Sequence, residues 1–171
     1  MDAITCLKER RSVRAYQAKQ IKDEELEIIL EAGKYAPTGM GAQSPVMVVV
    51  QDKETVQLLS KLNAKVMGAD SDPFYGAPTV IIVLADPSRH TYLEDGSLVM
   101  GNLMNAAFAV GVDSCWIHRA KEVFESAEGK ALLKKWGVNE NLVGIGNCIL
   151  GYRAGELSAP KPRKENYVYR V

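Results

Sequence analysis

The stretch of residues 93–110 limits most strongly what this chain can fold into. It has the spacing of one long helix, and apolar side chains lie on almost every side of it. Its small side chains, which permit close packing against a neighbour, are those of Gly101, Ala106, Ala107 and Ala109. A helix of this composition needs to be covered. We therefore predict that it lies at the centre of the fold or at an interface between subunits.

Four short runs of apolar and β-branched residues predict the strands of a sheet. Each run is continuous, which is typical of strands that are buried on both faces. The predicted strands are residues 46–50, 80–85, 112–117 and 143–150. Predicted helices are a short one from Ile4 to the basic run at Arg10, one from its N-cap Asp23 to Pro37, and residues 53–66, 93–110 and 123–136. A chain of 171 residues suits a single domain over residues 1–171.

The chain ends in a predicted extended arm, residues 152–171. Pro160, Pro162 and scattered charges argue against a further helix there. The last five residues, Tyr-Val-Tyr-Arg-Val, alternate enough to pair as a strand. An arm of this kind commonly wraps a partner subunit, so we expect a homodimer. The alternative is a loose tail.

Charge and cysteine usage narrow the class of protein. The 21 Lys and Arg residues balance the 21 Asp and Glu residues, so no net field favours nucleic acid or an anionic membrane as a partner. The apolar runs are too short to cross a bilayer, and no secretory signal is visible at the start. Cys6, Cys115 and Cys148 lie in apolar sequence and are expected to be buried, reduced thiols of a cytoplasmic protein.

Two further groups of reactive side chains are expected to be structural. Cys115 and His118 could supply two zinc ligands, but no second pair of ligands follows them, so no metal site is predicted. Glu94 and Asp95 resemble an acid–base pair, yet their position at the start of the 93–110 helix favours N-capping. We therefore expect the chemistry to come from a bound cofactor.

Two basic clusters are candidate phosphate-binding groups. The first consists of Arg10, Arg11, Ser12 and Arg14, and the second includes Arg163 and Lys164 in the arm. Guanidinium forks match phosphate oxygens, and the serine hydroxyl adds another donor. If the arm returns to the first cluster, both could neutralise one phosphate dianion. Taken alone, each cluster could equally be a solvated basic stretch.

A glycine-bearing loop, residues 36–45, precedes the first strand. Its glycines allow backbone groups to approach a flat ligand closely. It is not a dinucleotide-binding fingerprint, because Ser44 replaces the third glycine and a strand follows where a helix is required. A Rossmann domain is therefore not expected.

Several segments of the chain, taken in their order along the sequence, resemble those of the short, single-domain members of the FMN-dependent nitroreductase family. The segments that carry the resemblance are residues 10–14, 36–38 with Gln43, 72–78, 111–117, 151–152 and 162–164. The resemblance implies an α+β fold: a three-layer α/β/α sandwich with a mainly antiparallel central sheet. It also implies that the C-terminal arm is exchanged in a homodimer with shared active sites.

The resemblance implies a role for each candidate residue. The phosphate and ribityl chain of FMN would be held by Arg10, Arg11, Ser12 and Arg14. Arg14 would also stabilise charge at the pyrimidine edge of the flavin. Arg163 and Lys164 would close over the phosphate. Pro37, Thr38, Gly39 and Gln43 would come from the other subunit. Ile117, His118 and Arg119 would lie over the flavin with a backbone N–H near its N5 atom, and Asn63 would contact the polar edge of the ring.

The implied activity is alternating electron transfer. NADH or NADPH would reduce the flavin, and a nitroaromatic, a quinone or a similar flat acceptor would then reoxidise it. Alternatives are reductive dehalogenation, dehydrogenation or flavin fragmentation on the same fold, or a flavin-binding protein without turnover. The chain departs from the family at Gly41, where relatives often have asparagine, and at His118 and Arg119, where many have small or acidic residues.

Overall fold

The chain contains six α-helices and four β-strands in the computed structural model, which describes residues 1–171. The helices are α1 (Ala3–Glu9), α2 (Asp23–Lys34), α3 (Lys53–Met67), α4 (Tyr92–Ala109), α5 (Ala120–Glu125) and α6 (Ala127–Lys135). The strands are β1 (Val46–Val50), β2 (Thr79–Ala85), β3 (Asp113–Ile117) and β4 (Val143–Gly151). A single 3₁₀ turn, Gly39–Gly41, lies before β1.

The four strands form one sheet in the order β1-β2-β4-β3, and every neighbouring pair is antiparallel. All four predicted strands are therefore confirmed. The central strand β2 is buried at each of its seven positions, as its continuous apolar sequence predicts. Strands β1 and β3 lie at the two edges.

Helices cover both faces of the sheet. Alternate β2 residues Ile81 and Val83 pack with side chains of α2 and α4, such as Ile29 and Leu103. The intervening residue Ile82 belongs to a second core, formed with α3, α5 and α6. Because side chains alternate between the faces of a strand, these two cores lie on opposite sides of the sheet. The predicted three-layer α/β/α sandwich is confirmed.

A β-bulge changes the register between β2 and β4. Val83 pairs with Gly146 but Leu84 pairs with Gly144, so Ile145 is the extra residue. The bulge allows Ile145 to join the α2–α4 core. A side chain at Gly96 would collide with Ile145, so the glycine lets α4 lie directly on the bulge.

Helix α4 is buried on one side only. Met100 and Leu103 have no accessible surface, whereas Leu93 and Leu98 are exposed to 53% and 46%. A side chain at Gly101 would meet no atom within 4 Å. One face of the helix therefore lies at the centre of the fold, as predicted, and the other is open within the single chain.

Two predicted helix boundaries are wrong. The helix expected over residues 123–136 is two helices, because Ser126 adopts an extended conformation with φ −69° and ψ 159°. The Ser126 Oγ accepts a hydrogen bond from the Gly129 N–H at 3.0 Å and so starts α6. Asp23 is the first residue of α2 and not its N-cap. The cap is Lys22, whose backbone N–H donates to the Glu25 carboxylate at 3.0 Å.

The C-terminal arm forms no strand within its own chain. Its base is tied down, because Gln17 N–H donates to the Tyr152 carbonyl and Ala154 N–H donates to the Ala15 carbonyl. From residue 158 onward every residue is exposed. Pairing of the arm with a partner subunit stays a prediction, and within its own chain the side chains of Tyr167 and Tyr169 are 67% and 80% exposed.

Glycine at position 144 is required by the packing of α5 on β4. A Cβ at Gly144 would run into the backbone carbonyl group of Ala120, which cannot move aside as a side chain can. We expect Gly144→Ala to lower the free energy of unfolding by about 1–3 kcal/mol, as overpacking typically does. Urea denaturation measures the change. Gly155→Ala, where the added Cβ meets nothing within 4 Å, is the control and should have a far smaller effect.

Candidate functional site

The first basic cluster lies along the outer edge of β3. Ser12 forms an isolated parallel bridge with Ser114, and the Val13 N–H donates to the Ser114 carbonyl at 3.0 Å. Since β3 is an edge strand, the segment around Ser12 occupies hydrogen-bonding groups that the sheet leaves free. The backbone of the cluster is thus fixed by the sheet.

Two guanidinium nitrogens of this cluster are buried without a partner. They are Arg10 Nη1 and Arg11 Nε. The Arg11 Nη1 atom donates to the carbonyls of Lys8 and Arg10, both at 2.7 Å, which fixes the orientation of its guanidinium plane. A buried charged donor without an acceptor is costly, so the arrangement fits an anionic group such as a phosphate. By contrast, Ser12 and Arg14 are exposed.

The positive charge of Arg10 acts on a buried cysteine of the sheet. Burial, followed by the neighbouring Cys115 thiol, raises the pKa of Cys148 to about 12, and the positive charge of Arg10 opposes that rise. Cys148 belongs to the α2–α4 core. Cys148 therefore stays a protonated, unreactive thiol.

The glycine-bearing loop is anchored to the start of α4. The Gly39 N–H donates to Asp95 Oδ1 at 2.9 Å, and the Thr91 hydroxyl donates to Asp95 Oδ2 at 3.1 Å. The predicted N-capping role of Asp95 is wrong, because Thr91 is the N-cap and Asp95 is the fourth residue of the helix. Glu94, in the first turn of α4, is not the cap either. Asp95 is 2% exposed, so its carboxylate serves the loop and is not open to a substrate.

The same loop has an unusual backbone. Met40, Gly41 and Gln43 have φ values of 57°, 63° and 50°, in the left-handed region that favours glycine. The Thr38 hydroxyl accepts a hydrogen bond from the Gln43 N–H at 3.0 Å and closes the loop. Left-handed residues other than glycine persist where the surroundings hold them, and they cluster at ligand-binding sites. Met40 is 97% exposed, so nothing in this chain covers the loop tip.

The predicted segment Ile117–His118–Arg119 follows directly from β3. Arg119 has a φ of 74°, again in the left-handed region. The Asn63 Nδ2 donates to the His118 carbonyl at 2.8 Å, and the Arg119 Nε donates to Asn63 Oδ1 at 3.0 Å. Asn63 has no accessible surface, so its predicted direct contact with the flavin ring is not available in this conformation.

Only part of the predicted site comes together within one chain. The first basic cluster lies beside β3, and Asn63 meets His118 and Arg119. The loop anchored at α4 carries Pro37, Thr38, Gly39 and Gln43. No hydrogen bond or ion pair links this loop to the cluster. Arg163 and Lys164 are exposed, and Lys164 Nζ lies 5.1 Å from the ring centre of Tyr167.

An ion pair with a buried carboxylate, which sequence reasoning missed, anchors the base of the arm. Asp113 is 3% exposed and accepts hydrogen bonds from Arg153 Nη1 at 3.0 and 3.1 Å. An acidic residue inside the predicted strand 112–117 was the available signal, since carboxylates are rarely buried unless paired. The Tyr152 hydroxyl also donates to Glu25, which ties the arm's first residue to α2.

A cavity lies elsewhere, between α3 and the loop of residues 68–78. Its volume is about 950 Å³, and none of the predicted cofactor-binding residues lines it. Asp72 shapes the loop, because it accepts hydrogen bonds from the Ser60 hydroxyl and from the backbone N–H groups of Phe74 and Gly76. The unpaired guanidinium donors, not cavity size, identify the basic cluster as the candidate anion site.

Cys6, Cys115 and Cys148 are free and buried, as predicted. No cluster of three or more metal-ligating side chains is present. None of the helices has the length and apolar character needed to cross a bilayer.

Comparison with known proteins supports the family resemblance. Residues 7–152 match the nitroreductase family. A relative from Archaeoglobus fulgidus, provisionally named NADH dehydrogenase/NAD(P)H nitroreductase, is 34% identical over 171 residues, which span 95% of this chain and 89% of the relative.

Solved structures of similar proteins have the same fold. A nitroreductase with bound FMN from Bacteroides fragilis is 31% identical and superimposes with a TM-score of 0.92, covering 100% of this chain and 99% of the other. A nitroreductase with bound FMN from Desulfitobacterium hafniense is 25% identical, with a TM-score of 0.88 and full coverage of both chains. The resemblance read from the sequence is confirmed, and the chain belongs to the nitroreductase family.

Proposed function

We propose that this protein is an FMN-dependent NAD(P)H oxidoreductase that reduces nitroaromatic compounds, quinones or similar flat acceptors. The observation that carries the proposal is the pair of buried, unpartnered guanidinium nitrogens on Arg10 and Arg11 at the edge of the sheet. The bound FMN of two structurally similar nitroreductases supports it. The NAD(P)H nitroreductase name of the Archaeoglobus fulgidus relative supports a nicotinamide nucleotide as electron donor.

The phosphate of FMN fits the buried part of the basic cluster. Arg10 and Arg11 each have a free guanidinium donor there, and the exposed Ser12 hydroxyl adds another donor. Arg163 and Lys164 carry two more positive charges on a segment that nothing in its own chain holds. Closure of the arm over the cluster would place four cations around one dianion, which stabilises phosphate strongly.

When bound, FMN supplies the acceptance and donation of hydride, so the chain needs no nucleophile of its own. The protein binds the cofactor, orients it and stabilises negative charge on it. Arg14, an exposed member of the cluster, is suited to electrostatic stabilisation of that charge. Donor and acceptor use the same open site in turn, which predicts ping-pong kinetics.

A homodimer would complete the site. Leu93, Leu98 and Gly101 leave one face of α4 open, and the arm exposes further apolar side chains. Covering both surfaces with a second copy removes apolar area from water. The loop carrying Pro37, Thr38, Gly39 and Gln43 would then contact FMN whose phosphate is held by the other chain. Three free, buried thiols support the cytoplasm as the location.

FMN is expected to stabilise the fold. A ligand that binds only the folded state adds about 2.7 kcal/mol when its free concentration is 100 times its dissociation constant. For a chain of this length that is a rise in melting temperature of roughly 5–11 °C. Thermal denaturation with and without FMN tests it, with adenosine monophosphate as a control for a phosphate without the flavin. A melting temperature that saturating FMN does not move would contradict flavin binding.

Turnover separates the candidate functions. Anaerobic NADH or NADPH should bleach the flavin of the loaded protein, and a quinone or a nitroaromatic compound should restore its colour. Bleaching without recovery by either acceptor would favour another flavin reaction on this fold, such as reductive dehalogenation. A flavin that neither nucleotide bleaches would indicate a binding protein without turnover.

A further inference from the structure

Asn63 uses both ends of its amide on one short segment. Its Nδ2 donates to the His118 carbonyl at 2.8 Å, and its Oδ1 accepts from Arg119 Nε at 3.0 Å. The residue lies on α3 and has no accessible surface, so water cannot replace either bond. A helix on one face of the sheet thus holds both the backbone and the side chain of the turn that follows β3.

A second asparagine holds the preceding carbonyl. The Nδ2 of Asn147, on β4, donates to the Ile117 carbonyl at 3.4 Å, and Asn147 is 2% exposed. Two consecutive carbonyls, those of Ile117 and His118, are therefore bonded by buried side-chain amides. Fixing the carbonyls of planar peptide groups also fixes the direction of the N–H groups that follow them.

The fixed segment belongs to the same sheet edge as the basic cluster. The Ser114 carbonyl faces outward, because it accepts from the Val13 N–H. Backbone groups of alternate residues in a strand point to the same side, so those of Trp116 also point toward that edge. The His118 N–H points the same way, because the Ile117 carbonyl opposite it faces Asn147 on β4, whereas the His118 carbonyl turns to Asn63. Residue 13, within the cluster segment, and residue 118 of the turn thus share the outer edge of β3.

The conformation of Arg119 needs this support. A left-handed backbone is unfavourable for an ordinary L-residue relative to the right-handed helix. Arg119 adopts it at φ 74° and ψ 10°, as the N-cap of α5, with no capping bond from its side chain to that helix. Its guanidinium instead reaches back to Asn63. The tether offsets the backbone cost and fixes a positive charge beside the turn.

We propose that Asn63 is a positioning residue, which holds the His118–Arg119 turn and the Arg119 guanidinium toward the flavin. This inference rests on the proposed function. A fixed positive charge beside the cofactor favours its electron-rich reduced form. The tether between Asn63 and Arg119 therefore raises the reduction potential, and cutting it at either end lowers the potential.

The test compares Asn63→Ala, Arg119→Gly and the double variant by measuring FMN affinity, midpoint potential, and kcat and KM for NADH. We expect Asn63→Ala to retain FMN but to lower the ratio of reduced to oxidised flavin about tenfold at a given potential, which is about 30 mV for a two-electron couple. The kcat should fall while KM changes little. Asn102→Ala is the matched control, because Asn102 Nδ2 also donates to a backbone carbonyl, that of Ala32, at 2.9 Å.

The double variant distinguishes positioning from a general structural role. In Arg119→Gly the left-handed turn needs no tether and the positive charge is gone. Adding Asn63→Ala to that variant should therefore change the ratio of reduced to oxidised flavin, at a given potential, by less than twofold. Additive shifts would overturn the proposal, and so would an Asn63→Ala potential equal to that of the wild type. If Asn63→Ala does not fold, Arg119→Leu cuts the tether from the accessible side and must lower the potential. A wild-type protein that binds no FMN would instead contradict the proposed function.

Discussion

A chain that lacks residues 159–171 is expected to be a monomer that does not retain FMN. The deleted segment is wholly exposed in its own chain, so its loss removes no internal packing. It does remove Arg163 and Lys164 from the proposed phosphate site, together with the apolar side chains of Tyr167, Val168 and Tyr169 from the proposed interface. Sedimentation velocity measures the assembly, and flavin absorbance after desalting measures retention.

A full-length double variant separates the two losses. Arg163→Ala with Lys164→Ala keeps the apolar end of the arm, so it should remain dimeric while binding FMN more weakly. The truncated chain should fail in both respects yet keep its helical and strand content by circular dichroism. A truncated chain that remains a flavin-loaded dimer would contradict the role of the arm. An active, flavin-loaded monomer of the full-length chain would contradict the shared site.

Strands and most helix positions could be predicted because their signals are local. The continuous apolar run of β2 identifies a doubly buried strand without knowledge of its neighbours. Helix α3 has Asp52 as its N-cap, whose side chain accepts from the Thr55 N–H, and the left-handed Gly68 as its C-cap. Each of these residues acts within four positions of the helix end that it defines.

The errors arise where a local signal has two readings. Ser126 looks like a tolerated residue inside one long helix, but its extended backbone ends α5 and its hydroxyl starts α6. Asp95 occupies a position that suits capping, yet its partner is Gly39, which is 56 residues away in sequence. For neither residue can the correct interpretation be chosen from the local sequence, because it depends on how distant elements pack.

The candidate site divides in the same way. The arginine cluster is visible in the sequence, but which of its donors are buried depends on the pairing of Ser12 with Ser114. The role of Asn63 depends on a contact with Arg119 across 56 residues of sequence, which no motif records. The contributions of Thr38, Gln43 and Arg163 stay predictions, because they require a second chain.

Replacing Arg10 by alanine is expected to weaken FMN binding roughly 10- to 150-fold, because a charge-assisted hydrogen bond contributes about 1.5–3 kcal/mol. The same variant should bind riboflavin almost as well as the wild type does, since riboflavin lacks the phosphate. The Arg10 side chain makes no hydrogen bond within the chain, and one of its buried nitrogens has no partner. The melting temperature of the flavin-free protein should therefore fall little.

Fluorescence titration with the two flavins gives the comparison. Lys130→Ala is the control for the loss of one positive charge, because Lys130 is exposed on α6, which packs on the opposite face of the sheet from α2 and α4. That variant should bind both flavins as the wild type does. Equal losses of FMN and riboflavin affinity in Arg10→Ala would mean that this guanidinium does not contact phosphate. The unpaired Arg10 nitrogen would then lie in a solvated basic stretch, and the principal support for the proposed cofactor site would be lost.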